Sequence, residues 1–168
     1  RWVGAMARSE SDETVFTPPP RRLGKYEILS VLGEGAMGVV YQALDPSIGR
    51  VVAIKTIRSL VLPPAERAQF LERFHREAQA GGRLTHPGIV AIYEYGQDGD
   101  NPFIVMECVE GRTLKSYLEA GQIFEVEEAV GLIRGVLAAL AHAHGKGVIH
   151  RDIKPANIML TAEGQVKL

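Results

Sequence analysis

Three glycines, Gly33, Gly35 and Gly38, sit between two stretches that both read as β-strand. Tyr26-Glu27-Ile28-Leu29-Ser30-Val31-Leu32 precedes them and Val39-Val40-Tyr41-Gln42-Ala43-Leu44 follows, each rich in β-branched, aromatic or other apolar residues. Glycine lets backbone approach a phosphate without a side-chain clash, so this spacing raises the question of a nucleotide. What comes after the glycines narrows the answer. A dinucleotide-binding crossover needs a helix there, with an acid about 20 residues on, and a Walker A loop needs Lys-Ser/Thr directly after the last glycine. Here a strand follows, Val39-Val40 hold the Lys-Ser/Thr places, and position 55 is Lys. The glycines therefore form the tip of an antiparallel hairpin. A glycine hairpin with no ligand is the bland alternative.

Asp45-Pro46-Ser47-Ile48-Gly49 is a turn, and Arg50 to Ile57 reads as the next strand. Period two places Val51, Ala53, Lys55 and Ile57 on one face, which points Lys55 inward. A residue as small as Ala53 can lie flat against a purine ring while an ammonium two residues on reaches the phosphates. That charge is worth about 1 kcal/mol at ~4 Å in water but about 4 at an effective dielectric near 20. Pro63-Pro64 opens a helix whose buried stripe is Phe70, Phe74, Ala78 and Gly81. Glu77 lies beside that stripe, and its ordinary fate is a solvated pair with Arg73 one turn earlier. Strands are expected over Ile89–Tyr95 and Phe103–Glu107. Thr113 reads as the N-cap of a helix over Leu114–Ala120 that Gly121 ends. A longer helix starts near Glu125 and runs through Val130, Ile133, Leu137, Leu140 and His144. Leu132 and Val136 fall off that stripe, so this helix is apolar nearly all round and expects protein on several sides.

The densest chemistry lies in His150-Arg151-Asp152-Ile153-Lys154-Pro155-Ala156-Asn157. Pro155 fixes its own φ and keeps Lys154 out of helical geometry, so the segment is an ordered loop. Asp152 can accept a proton from an attacking hydroxyl, Lys154 can set a positive charge on a phosphoryl group, and Asn157 offers a neutral oxygen suited to Mg²⁺. Two short strands, Ile158-Met159-Leu160 and Val166-Lys167-Leu168, close the chain.

Composition excludes several classes. The 168 residues, 46% hydrophobic with a net charge of −1, suit one globular domain or part of a larger one, and no global field draws the chain to nucleic acid or acidic membrane. Cys108 is the single cysteine, so no intrachain disulfide forms and a reducing, cytoplasmic setting is expected. The most apolar stretch, Val130 to Ala143, is too short to cross a bilayer and contains Arg134. His142, His144 and His150 lack a metal-ligand motif. Residues 1–24, with an acidic run and Pro18-Pro19-Pro20, read as a disordered linker; Thr14 and Thr17 within it also fit a phosphothreonine docking site.

Taken in order, Gly33-Glu34-Gly35-Ala36-Met37-Gly38-Val39-Val40, Val52-Ala53-Ile54-Lys55 and His150 to Asn157 resemble the motifs of protein kinases, specifically the bacterial branch of the eukaryotic-like serine/threonine kinases. The resemblance runs from about Tyr26 to Leu168. It implies an α+β, two-lobed fold: a first lobe with a five-stranded antiparallel sheet and one helix over 25–109 including the hinge, then a truncated, mainly helical second lobe over 110–168. It implies ATP and Mg²⁺ as cofactors, protein Ser/Thr hydroxyls as acceptors, and no nucleic-acid partner. By the same resemblance Gly33, Gly35 and Gly38 cover the phosphates, Val40, Ala53, Met106 and Met159 surround the base, and the backbones of Glu107 and Val109 hydrogen-bond the adenine edge. Lys55 holds the α- and β-phosphates and Glu77 orients it, in preference to Glu66 or Glu72. Asp152 takes the hydroxyl proton, Lys154 steadies the γ-phosphate, Asn157 binds Mg²⁺, and Arg151 meets a phosphorylated activation segment. Two departures stand out: Gly88 replaces the more usual Asn in His86-Pro87-Gly88, and the chain stops before the Asp-Phe-Gly whose aspartate holds Mg²⁺. The chain on its own is therefore expected to be inactive, and a nucleotide-binding or regulatory module without phosphotransfer, as in pseudokinases, is the alternative.

Overall fold

The computed structural model describes residues 20–35, 38–57 and 64–168. The linker over 1–19, with Thr14 and Thr17, the hairpin residues Ala36 and Met37, and Pro63 lie outside the described residues. Strands β1 (Arg22–Leu23), β2 (Tyr26–Gly35), β3 (Gly38–Asp45), β4 (Arg50–Thr56), β5 (Ile92–Asp98) and β6 (Asn101–Glu107) form one antiparallel sheet in the order β1-β2-β3-β4-β6-β5. Helix α1 (Pro64–Gly81) enters between β4 and β5. The second part holds β7 (Gly111–Thr113), α2 (Leu114–Glu119), α3 (Val126–Gly145), a 3-10 turn over Pro155–Asn157, β8 (Met159–Thr161) and β9 (Val166–Lys167), with a small sheet in the order β7-β8-β9.

The large sheet divides its side chains by the period-two rule. Tyr41 and Ala43 of β3, Val52 and Ile54 of β4, and Phe103 and Val105 of β6 are buried together with Leu23, Tyr26 and Val39. The opposite face of the same strands carries Val40, Gln42, Ala53, Lys55, Ile104 and Met106, because Val40 lies opposite Lys55, Gln42 opposite Ala53, Lys55 opposite Ile104 and Ala53 opposite Met106. Helix α1 covers one end of that face. Phe74 and Ala78 are buried against Ile57 and Ile104, with Phe70, Ile92 and Tyr95 packed beside them. The fourth stripe residue, Gly81, meets Ile92 so closely that a Cβ there would collide with its side chain.

Several boundaries differ from the sequence reading. The sheet has six strands, not five, and begins inside the expected linker: Arg22 lies opposite Glu27 and Leu23 opposite Tyr26, with Leu23 buried. Strand β5 starts at Ile92 rather than Ile89 because the preceding backbone bonds elsewhere. Val90 donates to the Leu168 carbonyl at 2.7 Å, and Leu168 donates to Gly88 at 3.0 Å. Strand β7 was not expected at all; Gly-Arg-Thr has no strand pattern, and only pairing with β8 makes it one. Gly111 permits that pairing, since a Cβ there would strike the Leu160 carbonyl.

Helix α2 has the expected cap, with the Thr113 hydroxyl accepting from the Ser116 amide at 3.2 Å. Helix α3 opens with a capping box in which Glu125 and Glu128 satisfy each other's backbone. Its packed face is the one that the periodicity left aside. Ala139 and Ala143 are buried, and Leu132 and Val136 pack on Ile158, Leu160 and Val166, while Val130, Ile133 and Leu137 stand in solvent.

Candidate active site

Helix α3 delivers the chain to the loop. Its end is closed by Val148 donating to Ala143 at 2.9 Å, with Gly147 at φ 74 supplying the left-handed turn. Arg151 follows at φ 64, the only non-glycine residue with positive φ among the described residues. For a side chain this long the left-handed region is uncommon, and such strain persists only where neighbours hold it. The hold comes one residue on. Asp152 donates its amide to His150 Nδ1 at 3.3 Å, and its carbonyl and Oδ2 each accept from Asn157 Nδ2 at 2.9 Å. Lys154 is extended, as the residue before a proline must be, and its ammonium lies 2.8 Å from Asp152 Oδ2. Pro155 then begins the 3-10 turn, and Asn157 donates its backbone amide to Lys154 at 2.9 Å. Beyond it Ile158 is buried and accepts from the Leu114 amide at 2.7 Å, which ties the loop to the start of α2.

Asp152, Lys154 and Asn157 thus form one cluster. The Lys154 ammonium and then the Asn157 amide hold the Asp152 carboxyl below the usual carboxylate range. Both hydrogen bonds use Oδ2. Among the described residues no donor reaches Asp152 Oδ1, so one carboxylate oxygen stays open to a proton from outside. The same holds for Asn157: its Nδ2 is engaged twice, and among the described residues no donor reaches its Oδ1, a neutral acceptor. That oxygen suits a hard cation such as Mg²⁺, so the residue fits the ion expected there.

Across the large sheet, Val40, Ala53 and Met106 share the strand face that carries Lys55. Gln42 of that face donates to the Cys108 thiol sulfur at 3.8 Å and receives the Ser30 hydroxyl at 3.3 Å. Glu107, Cys108 and Val109 are half-buried and lead out of β6 toward the small sheet. The glycines differ among themselves. Among the described residues nothing stands within 4 Å of a Cβ placed at Gly33 or Gly35, whereas one at Gly38 would collide with the Thr56 carbonyl. Gly33 and Gly35 leave open space; Gly38 is required by the packing of β3 on β4.

Other expected partners stay apart. Glu77 is exposed, and among the described residues no ion pair joins it to Lys55 or to Arg73; on that helix Glu72 pairs with Arg76 instead. Glu77 follows Phe74 by three residues but precedes Ala78, which turns it off the buried stripe. The sequence reading missed the side chain of Glu107. Its Oε2 accepts from the Ala91 amide at 3.2 Å and its Oε1 pairs with Lys167. No local pattern signals a pair between residues 107 and 167.

A two-part α+β chain with this hairpin, this strand lysine and this loop geometry defines a class, and comparison with known proteins identifies it. Residues 26–168 match the protein kinase domain family. The chain belongs to that family. It is 49% identical over 154 residues to a probable serine/threonine-protein kinase of Streptomyces coelicolor, covering 89% of this chain and 22% of that kinase. With the serine/threonine-protein kinase PrkC of Bacillus subtilis it shares 44% identity over 145 residues, 86% of this chain and 22% of PrkC. The crystal structure of the Mycobacterium tuberculosis PknI kinase domain superposes with a TM-score of 0.74 at 30% identity, over 86% of this chain and 57% of that one. The apo form of PpkA-294 gives a TM-score of 0.79 at 25% identity, over 90% and 60%. The chain therefore spans about a fifth of the length of these curated relatives and under two thirds of the solved domains.

Proposed function

We propose that the chain supplies the ATP-binding lobe and the phosphoryl-transfer loop of a protein serine/threonine kinase. The observation that carries this reading is the Asp152 carboxylate, held by Lys154 and Asn157 through Oδ2 alone and open at Oδ1. The acceptor Ser or Thr oxygen bonds to the γ-phosphorus as the bond from that phosphorus to the β,γ-bridging oxygen breaks. ADP leaves, and the hydroxyl proton passes to Asp152 Oδ1. Lys154, beside Asp152, offsets negative charge on the transferring group. Lys55, exposed and without an ion-pair partner among the described residues, is available to the α- and β-phosphates. Gly33 and Gly35 leave the hairpin backbone accessible to the phosphates, while Val40, Ala53, Met106, Val109 and Met159 surround the purine. Mg²⁺, when bound, neutralises phosphate charge, and Asn157 Oδ1 is the ligand this chain offers it.

Protein Ser/Thr side chains are the substrate class, and a reducing, cytoplasmic setting suits the single thiol. No helix among the described residues is long and apolar enough to cross a membrane. The test uses a protein that carries this chain together with the rest of its catalytic domain. With γ-labelled ATP and a generic basic protein, label should enter Ser and Thr, and Asp152→Asn should cut the rate roughly 10²–10⁴-fold. Incorporation equal to that of the Asp152→Asn control would refute the reading.

A further inference from the structure

Glu107 and Lys167 are distant in sequence, yet they form an ion pair in which the side chains are only 26% and 12% exposed. A pair so withdrawn from water is poorly screened, and removing one partner leaves the other charge half-desolvated. The Glu107 carboxylate is held at its second oxygen too, by the Ala91 amide at the start of the β5 region. So one side chain joins β6, the segment before β5, and β9.

The neighbours of the two residues give that junction a purpose. Met106, next to Glu107, lies directly opposite Ala53 across β6 and β4. Lys167 lies directly opposite Met159 across β9 and β8. A run of immediate neighbours, Ala53–Met106–Glu107–Lys167–Met159, therefore connects the large sheet to the small one. Its two ends are residues assigned above to the surroundings of the purine. The backbone bonds of Leu168 with Gly88 and Val90 tie the residue after β9 to the α1–β5 turn, beside this run rather than within it. We propose that the Glu107 carboxylate and Lys167 are positioning residues for nucleotide binding, setting the spacing between Ala53 and Met159 into which the purine ring fits.

This rests on the nucleotide reading above. Neither charged group touches ATP; the Glu107 carboxylate acts through the β6 backbone and Met106, and the Lys167 ammonium through Met159. Loss of the ion pair lets β9, and Met159 with it, shift against the hinge, which weakens ring binding while leaving the open hairpin at Gly33 and Gly35 untouched. Glu107→Gln keeps an oxygen for the Ala91 amide and removes only the charge. Lys167→Met removes the ammonium and keeps most of the stem.

The experiment measures displacement of a fluorescent ATP analogue from a protein carrying this chain and the rest of its catalytic domain. The two competitors are adenosine, which has the ring alone, and inorganic tripolyphosphate, which has none. Each variant should weaken adenosine about tenfold and leave tripolyphosphate within about twofold of the parent, with Lys167→Arg restoring adenosine binding. Unchanged adenosine affinity, or an equal loss of both competitors, or loss of the folded state in both variants, would overturn the assignment and leave the pair a structural strut. A parent that binds neither ATP analogue nor adenosine would instead refute the nucleotide reading itself.

Discussion

Asn157 donates its side-chain amide to Asp152 twice, to the backbone carbonyl and to Oδ2, both at 2.9 Å. One residue thereby fixes the backbone and the carboxylate of another across the 3-10 turn. With Lys154 on the same oxygen, Asp152 stays ionised to lower pH than an ordinary aspartate. The sign follows directly: a depressed pKa means that these contacts stabilise the loop at neutral pH and are lost as pH falls below the usual carboxylate range. Lys154→Met should move the Asp152 midpoint up toward its ordinary value, and Asn157→Leu should move it up by less, since Lys154 is the larger cause. Carbon-13 NMR titration of the Asp152 carboxyl would read both. A midpoint unmoved by Lys154→Met would show that the ion pair does not hold in solution.

The glycines should separate by variant. Gly38→Ala forces a methyl into the Thr56 carbonyl and must shift β3 against β4, so it should lower the unfolding midpoint in urea by an amount matching about 1–3 kcal/mol. Gly33→Ala meets open space and should leave that midpoint within about 1 kcal/mol. Equal destabilisation by the two would contradict the geometry.

Lys55 shares its strand face with Ala53 and sits across from Val40. In a protein with the complete catalytic domain, Lys55→Met should cut phosphotransfer on the order of 10²-fold while ATP affinity falls by a much smaller factor. Adenine contacts would remain, because Met106 and Glu107 lie on β6 and Val109 beyond it, away from Lys55 on β4. Steady-state kinetics with equilibrium nucleotide binding would decide; a variant that loses binding but keeps transfer per bound ATP would remove Lys55 from the phosphates.

The chain of 168 residues alone should transfer no phosphate and should associate. Ile133 and Leu137 are each 59% exposed and Val130 47%, on one face of α3, so each forgoes about half of the roughly 1.5–3 kcal/mol that full burial would give. Size-exclusion chromatography should show oligomers that Ile133→Lys with Leu137→Lys disperses. A monodisperse monomer with strong hydrogen-exchange protection over residues 130–140 would be the contrary result.

Much of the fold was legible where the signal is local. The hairpin around Gly33–Gly38 follows from two strand patterns flanking glycines, the α1 stripe from helical spacing of Phe70, Phe74 and Ala78, and the α2 start from Thr113. The face shared by Ala53 and Lys55 follows from strand period alone, whereas Val40 joins it through the register of β3 on β4. What escaped depends on distant partners. Arg22–Leu23 becomes a strand only beside Tyr26–Glu27, and Gly111–Thr113 only beside β8. In α3 the apolar residues ring the helix, so periodicity could not say that Leu132 and Val136 pack while Ile133 does not. Whether Glu77 meets Lys55 depends on contact between a helix and a distant strand, which no local pattern records.

The backbone bonds of Leu168 with Gly88 and Val90 bear on the order of assembly. Strands β2 to β4 form hairpins between near neighbours in sequence and can pair as soon as they exist. The turn before β5 cannot be completed until residue 168 arrives, after both helices of the second part have been made. Loop closure of that length is slow relative to a hairpin. During synthesis, then, the sheet would wait with the Val90 amide bound to water until residue 168 is made and fastens the α1–β5 turn to the second part of the chain.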